Sequence, residues 1–600
     1  MWIFQYLIII AWSLAGLVSI NHIYSFCTIV FSTYFLGVFA WLTIFASILF
    51  LSRKYFRQIF LVFLASFLFG YYKGPYLEPP ADPLSHLQQT YSFIEKESDQ
   101  ITKGNRGLWH YSMSSVLIKR ANVLQDPEKI LRYIDLLHGL YCAVLMAALF
   151  ILAKSAGLPG KWAFLAILIC YLFFGTNRFS YFSYYSFAPT FSSILICWLW
   201  TAAFFFKRGW KIILSGLVMG GMSLPIIWVN HFQEAAFIGF IIILWLMANL
   251  HEKVWPLLNS KHGKARLRIN LKLIYLFVLI LILFILPQFQ FIQNSMPPFF
   301  ERNNWLANQE ALVLWHGFHI IGKVWSYRIF DTLGLAGILP AFLFLLFLFS
   351  PLGIERKNIR IMLLGVLPFM VYFTPLFNFI WASNSHISSY YRFCYCSMFW
   401  LSISFFLGEL EARNLLWQKL NGLSSRFFNW SLTSKTIKNA YFITCVMGVI
   451  ILSLVRSAPI YGKLDFLTLD TRPWWKEWQP LIKESLKSNR RPVYTDPQTS
   501  LILKSVFNYP VKINVHKRDY RLVSSSVIDI KSMDRMNESG SCLCFINLHG
   551  FTPSWVPAET HHWFSGVAET AAYYQYDGIK GEELREMLRT KPPKNCKVYF

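Results

Sequence analysis

The 600-residue chain is 55% hydrophobic and 18% aromatic but only 14% charged, a balance that excludes an ordinary soluble enzyme and describes a membrane protein. Its net charge of +25 does not point to nucleic acid, because Lys and Arg are not gathered into one aromatic-interleaved patch. They recur instead in alternate connecting segments, as expected of a polytopic chain whose basic loops stay in the cytoplasm.

In chain order, the run from Met1 to Ile20 lacks a basic leader and a small-residue cleavage site, so it reads as a retained helix. Further apolar runs follow to about Val455, about thirteen in all with the N-terminus in the cytoplasm, each near the ~20 residues needed to cross ~30 Å of hydrocarbon. The basic segments Ser52 to Arg57, Lys154 with Lys161, Lys207 to Lys211, His251 to Lys272, Glu355 to Arg360 and Glu409 to Ala440 are assigned to the cytoplasm. Parity then places external loops at about 71–135 and 290–330, and the tail 457–600 outside as well. The expected fold class is a polytopic α-helical membrane protein, residues 1–456, followed by a soluble extracytoplasmic α/β domain.

The first external loop opens with "EPPADPLSHLQQ". Pro79, Pro80 and Pro83 forbid a regular helix through Glu78, so a helix begins near Asp82 or Pro83 with Asp82 as its cap. His86 lies one turn further on the same face. A carboxylate beside a bilayer, partly desolvated and near an imidazole, is suited to deprotonate a hydroxyl, which makes Asp82, Glu78 and His86 candidates for catalysis. The bland reading is a helix cap alone.

Later loops offer partners. "RFSYFSYYSFAP" is rich in Tyr, as an interfacial belt or a sugar-stacking groove would be. "VNHFQEAAF" sets Asn230, His231 and Glu234 in a short turn between spans, with Glu234 as a second acid. In "FFERNNWLANQEALVLWHGFHIIGKVWSYR", Arg302 and Arg328 flank His316 and His319, which are expected on one face of a partly buried helix. Two His three residues apart are too few for zinc. "NSHISSYYRF" supplies His386 and Arg392, and an Arg on an otherwise Lys/Arg-poor face suits a bidentate grip on a lipid phosphate.

The tail changes character. "RPVYTDP", "PVKINV", "CLCFINL" and "CKVYF" read as strands and "GEELREMLRT" as an amphipathic helix. No dinucleotide fingerprint or P-loop is present. Of ten Cys, seven sit in or beside apolar spans and read as small core residues. If the tail faces an oxidising space, one pair among Cys542, Cys544 and Cys596 bridges and leaves an odd thiol; the spacing does not choose the pair.

This layout, many spans, an acidic first external loop and a C-terminal external α/β domain, resembles the GT-C superfamily of polytopic glycosyltransferases. The order of parts is similar to that of the catalytic subunit of bacterial oligosaccharyltransferase. The resemblance implies transfer of a sugar from a polyprenyl-phosphate or -diphosphate carrier to a glycan or lipid acceptor, an enzyme of the EC 2.4 class serving the cell envelope from the bacterial inner membrane. It implies a base or site organiser at Asp82 with Glu78 beside it, and a divalent cation in some members; no other cofactor is expected. Glu78 and Asp82 do not form a strict D-x-D. "RPWWKEW" lacks the Asp and Gly of the W-W-D-x-G signature, which disfavours protein N-glycosylation. A transporter or flippase of lipid-linked saccharide is the alternative, set back by the absence of visible repeats and the scarcity of ionisable residues inside the spans.

Overall fold

The computed structural model describes residues 33–75, 108–120, 127–171, 187–206, 398–412 and 434–461. It also describes positions within 86–94, 241–248 and 359–365, and short segments between 318–327 and 493–599. The first apolar run and the total number of spans lie outside these residues. Among the described residues, three stretches are long and apolar enough to cross a bilayer: Gly37–Lys73, Arg132–Ser155 and Lys435–Leu452. The protein is a membrane protein.

Helix α1 (Thr33–Ser52) is apolar on all sides, as a span must be. It ends in a 3-10 turn, Arg53–Tyr55, where charge interrupts the hydrophobic run. Helix α2 (Phe56–Lys73) then returns along it, since the Phe63 ring lies 6.2 Å from that of Phe45. Leu42, Leu49, Phe60, Leu61, Leu64 and Leu68 remain exposed on this hairpin; in a membrane they form the lipid-facing surface.

Helix α3 (Leu108–Arg120) is too short to span and too polar for lipid, and it is packed among the spans. It lies against α1 where Gly37 has no Cβ, because a Cβ there would collide with the Ser112 carbonyl. Trp41 Nε1 donates to the Met113 carbonyl at 2.9 Å and fixes the contact. Helix α4 (Pro127–Ser155) is the centre of the bundle: every residue from Tyr141 to Ala153 is buried. It crosses α2 at Gly70, where an added Cβ would stand 2.8 Å from Cys142 Cβ, and at Gly139, where one would stand 2.8 Å from the Phe67 carbonyl. Between helices in lipid, close backbone approach through small residues replaces the hydrophobic drive.

Helix α4 closes with backbone bonds from Gly157 to Lys154 and from Leu158 to Ala153, a Schellman ending that satisfies its last carbonyls. Helix α5 (Gly160–Cys170) starts directly after Pro159. Helix α6 (Pro189–Phe204) opens on extended Ala188 with Pro189 at its first position, where no amide donor is needed. Strands β1 (Phe318–Ile321) and β2 (Val324–Tyr327) form an antiparallel pair, with His319 opposite Ser326. The helix expected across His316 and His319 is therefore corrected at His319. β-branched and aromatic residues on both sides of Gly322-Lys323 favour a hairpin over helical periodicity. Helices α7 (Phe399–Ala412) and α8 (Ser434–Tyr461) follow, α8 exposing Ile443, Met447 and Ile451 along one stripe.

In the tail, β3 (Val493–Thr495), β4 (Ile513–Val515) and β6 (Cys542–Phe545) fall within the segments read as strands, while β5 (Leu522–Ser524) lies in a stretch that was not read as one. A short pair, β7 (Gln575–Tyr576) and β8 (Ile579–Lys580), leads into helix α9 (Gly581–Thr590) and strand β9 (Cys596–Tyr599). One parallel sheet has the order β3-β6-β9, while β4 pairs with β5.

Candidate functional site

The two ends of the bundle differ chemically. At the Arg53 end, Lys154 Nζ donates to the Leu158 carbonyl at 2.8 Å and lies 4.4 Å from the Tyr55 ring centroid. Lys161 is ion-paired with Glu411, whose other oxygen accepts from Trp162 Nε1 at 2.7 Å. Arg360, buried, donates to the Phe205 carbonyl. These cations are engaged with backbone, ring or carboxylate.

At the Lys73 end a polar layer is enclosed by helices. His86 and Gln89 belong to the short helix that follows Asp82 in the chain, and both reach Tyr111 on α3. The Tyr111 hydroxyl donates to Gln89 Oε1 and stands 2.7 Å from His86 Nδ1. A phenol has one proton to give. Because Gln89 takes it, the oxygen accepts from Nδ1–H of His86. Tyr111 is buried and His86 half-buried, so the ring is held by a group that does not exchange with bulk solvent. The Thr90 hydroxyl donates to the His86 carbonyl at 3.0 Å and steadies the same turn.

Beneath this network lies His110, fully buried with ring centroids of Tyr141, Tyr111 and Phe191 at 5.5, 6.0 and 6.5 Å. The Phe187 backbone approaches the ring, but neither ring nitrogen reaches hydrogen-bond geometry. Burial pushes the His110 pKa down to about 3, so the ring is neutral. The Ser114 and Tyr141 hydroxyls meet at 2.5 Å. On the neighbouring α2–α4 face, Lys73 is 5% exposed. Its ammonium lies 3.4 Å from the Tyr171 hydroxyl and 5.8 Å from the centre of that ring. His138 Nε2 stands 3.6 Å from Cys142 Sγ, and one carboxylate oxygen of Asp135 is shut off from solvent.

Of the candidate residues named from the sequence, His86 is among the described ones. Asp82, Glu78, Glu234, Asn230, His231, Arg302, Arg328, His386 and Arg392 lie outside them. Tyr111, Gln89, His110, Lys73 and Asp135 were not singled out. "LWHYSMSSVLIKR" carried a signal: polar groups at 110, 111, 112, 114 and 115 are too many for a lipid-facing helix, and the aliphatic residues between them suit burial. Among the described residues no group of three or more His, Cys, Asp or Glu could hold a metal ion.

No protein-family model and no curated protein matches the chain. Among solved structures, the archaeal oligosaccharyltransferase AglB from Archaeoglobus fulgidus, in complex with an inhibitory peptide and a dolichol-phosphate, aligns at 10% identity with a TM-score of 0.39. The alignment covers 76% of this chain and 64% of that one, so the chain spans less than two thirds of that protein's length.

Proposed function

We propose that the protein is a membrane glycosyltransferase that moves a sugar from a polyprenyl-phosphate or -diphosphate carrier to a glycan or lipid acceptor on the extracytoplasmic side. The observation that carries this reading is the imidazole of His86, four residues beyond Asp82, oriented by a buried phenol at one end of an apolar bundle. The layout of acidic loop, spans and tail supports it from the sequence.

In this reading Asp82, with Glu78 or Glu234 nearby, takes the proton of the acceptor hydroxyl as its oxygen attacks the anomeric carbon. His86, held by Tyr111, helps to position the same hydroxyl. The bond from the anomeric carbon to the carrier's phosphate oxygen breaks, and the phosphate leaves with the bonding pair. Lys73, Arg392 and Arg302 or Arg328 stabilise that charge, while Asn230, His231 and His386 line the acceptor side. Polar contacts preorganised in a water-poor layer cost little reorganisation at the moment of transfer.

The test is transfer from a labelled lipid-linked sugar by purified enzyme. Asp82→Asn abolishes transfer while membrane insertion and thermal stability stay at the parent's values; retained turnover refutes the assignment. A second reading, a transporter of lipid-linked saccharide, draws on His110 and His138, both fully buried among the helices where a polar pathway would run. Liposomes separate the two: movement of the lipid-linked sugar across the bilayer without bond transfer selects the transporter.

A further inference from the structure

The tail carries an observation independent of the catalytic reading. Cys596, on the last strand, is disulfide-bonded. In the parallel sheet it stands directly opposite Cys542 of β6, and Cys544 stands opposite Val598. Residues in register on neighbouring strands project to the same face, with backbones about 4.8 Å apart, inside the range of about 4.4–6.8 Å that a disulfide bridges. Cys544 is fully buried and keeps its thiol, as do Cys142, Cys170, Cys197 and Cys445 in the helices.

We infer that Cys542 and Cys596 form a structural disulfide that ties the end of the chain to the middle strand of the β3-β6-β9 sheet, and that this tail folds in an oxidising compartment, across the membrane from the Arg53 end. Each Cys loses one proton and one electron as the S–S bond forms, by exchange with the disulfide of an oxidant protein that is itself reduced to two thiols. Such bonds persist in exported segments and are reduced in the cytosol. Register selects the pair: Cys544 lies on the same face of β6 but one pleat along, opposite an aliphatic residue. The basic residues gathered at the Arg53 end assign that end to the cytoplasm. Disulfide and charge distribution thus place the two features on opposite sides by separate arguments. The inference holds whether the protein transfers sugars or moves them.

Two measurements on the full-length parent chain test it. Native membranes are blocked with iodoacetamide and digested without reductant. The Cys596 peptide is then recovered cross-linked to the peptide holding Cys542 and Cys544, and fragmentation, or a Cys544→Ser chain that keeps the link, assigns Cys542. Recovery of alkylated Cys596, or a link through Cys544, overturns the pairing. For the compartment, sealed right-side-out membranes are treated with an impermeant phosphine reductant and then an impermeant maleimide. Labelling of Cys596 before lysis supports the assignment, and labelling only after lysis overturns it.

Discussion

The Lys161–Glu411–Trp162 cluster at one end of the bundle and the His86–Tyr111–Gln89 network at the other are both mostly buried and both join distant parts of the chain, yet they are built for different work. In the first, a carboxylate is consumed on both oxygens by an ammonium and an indole, and the Ser404 hydroxyl donates to the Trp162 carbonyl behind it. Every strong partner is another part of the scaffold, which makes the cluster a clamp between α5 and α7. In the second, a phenol and an amide hold an imidazole in a fixed order. Charge satisfied by scaffold gives rigidity, whereas a relay of uncharged partners gives orientation.

The sharpest way to break this comparison is to substitute one residue at each end. Glu411→Gln removes the anion from Lys161 and weakens the acceptor for Trp162 Nε1. Leaving buried polar groups poorly paired costs about 1–3 kcal/mol, and the Lys161 contribution is smaller because its side chain is about a third exposed. Thermal unfolding in detergent should therefore fall by several degrees, with the turnover of the surviving enzyme unchanged. A loss of turnover greater than the loss of folded protein would end the assignment of this cluster to scaffold.

Tyr111→Phe should do the converse. It deletes the oxygen that accepts from His86 Nδ1–H, so the ring loses its fixed orientation and the turnover number falls by about tenfold, less than the ~10²–10⁴-fold that a general acid or base itself contributes. His86→Gln should lower turnover at least as far, with the folded fraction unchanged. Unchanged turnover in Tyr111→Phe would mean that the contact only packs α3.

At neutral pH the smallest effect belongs to His110. Its folded pKa, lowered to about 3, lies below the ordinary value near 6.5, so the fold favours the neutral ring. Its contribution is intact above about pH 6.5 and is lost as pH falls through that value toward 3, because the unfolded chain binds the proton first. His110→Gln should make the melting temperature less sensitive to pH between about 6.5 and 4. Equal sensitivity in parent and variant would show that the ring is not sealed from protons.

How much of this was readable beforehand varies from residue to residue. His86 could be placed one turn beyond Asp82 from the prolines and the helical repeat alone, since these are local constraints. The strands at Val493–Thr495 and Cys542–Phe545 were visible for the same reason, as short runs of β-branched, aromatic and Cys residues bounded by turn formers. His319 differs because the three-residue spacing from His316 suits a helix, whereas the two residues between Ile321 and Val324, with aromatic and aliphatic residues on both sides, suit a hairpin. Tyr111 was passed over because its partners lie 22 and 25 positions earlier in the chain, and no periodicity reports a contact at that distance. Nothing in the local pattern marks Lys73. Its burial against Tyr171, 98 positions later, depends on how α2 and α5 meet.

Composition and charge alone were enough to establish a membrane protein with basic connecting segments, because transfer of apolar residues from water into hydrocarbon depends on what the residues are and hardly on what they touch. Which polar groups share a layer, which cation is enclosed and which Cys faces Cys596 were decided by helix crossings and strand register. These arise from backbone approach at Gly37, Gly70 and Gly139 and from pairing between strands far apart in the chain, where close packing has one solution and the linear pattern permits many.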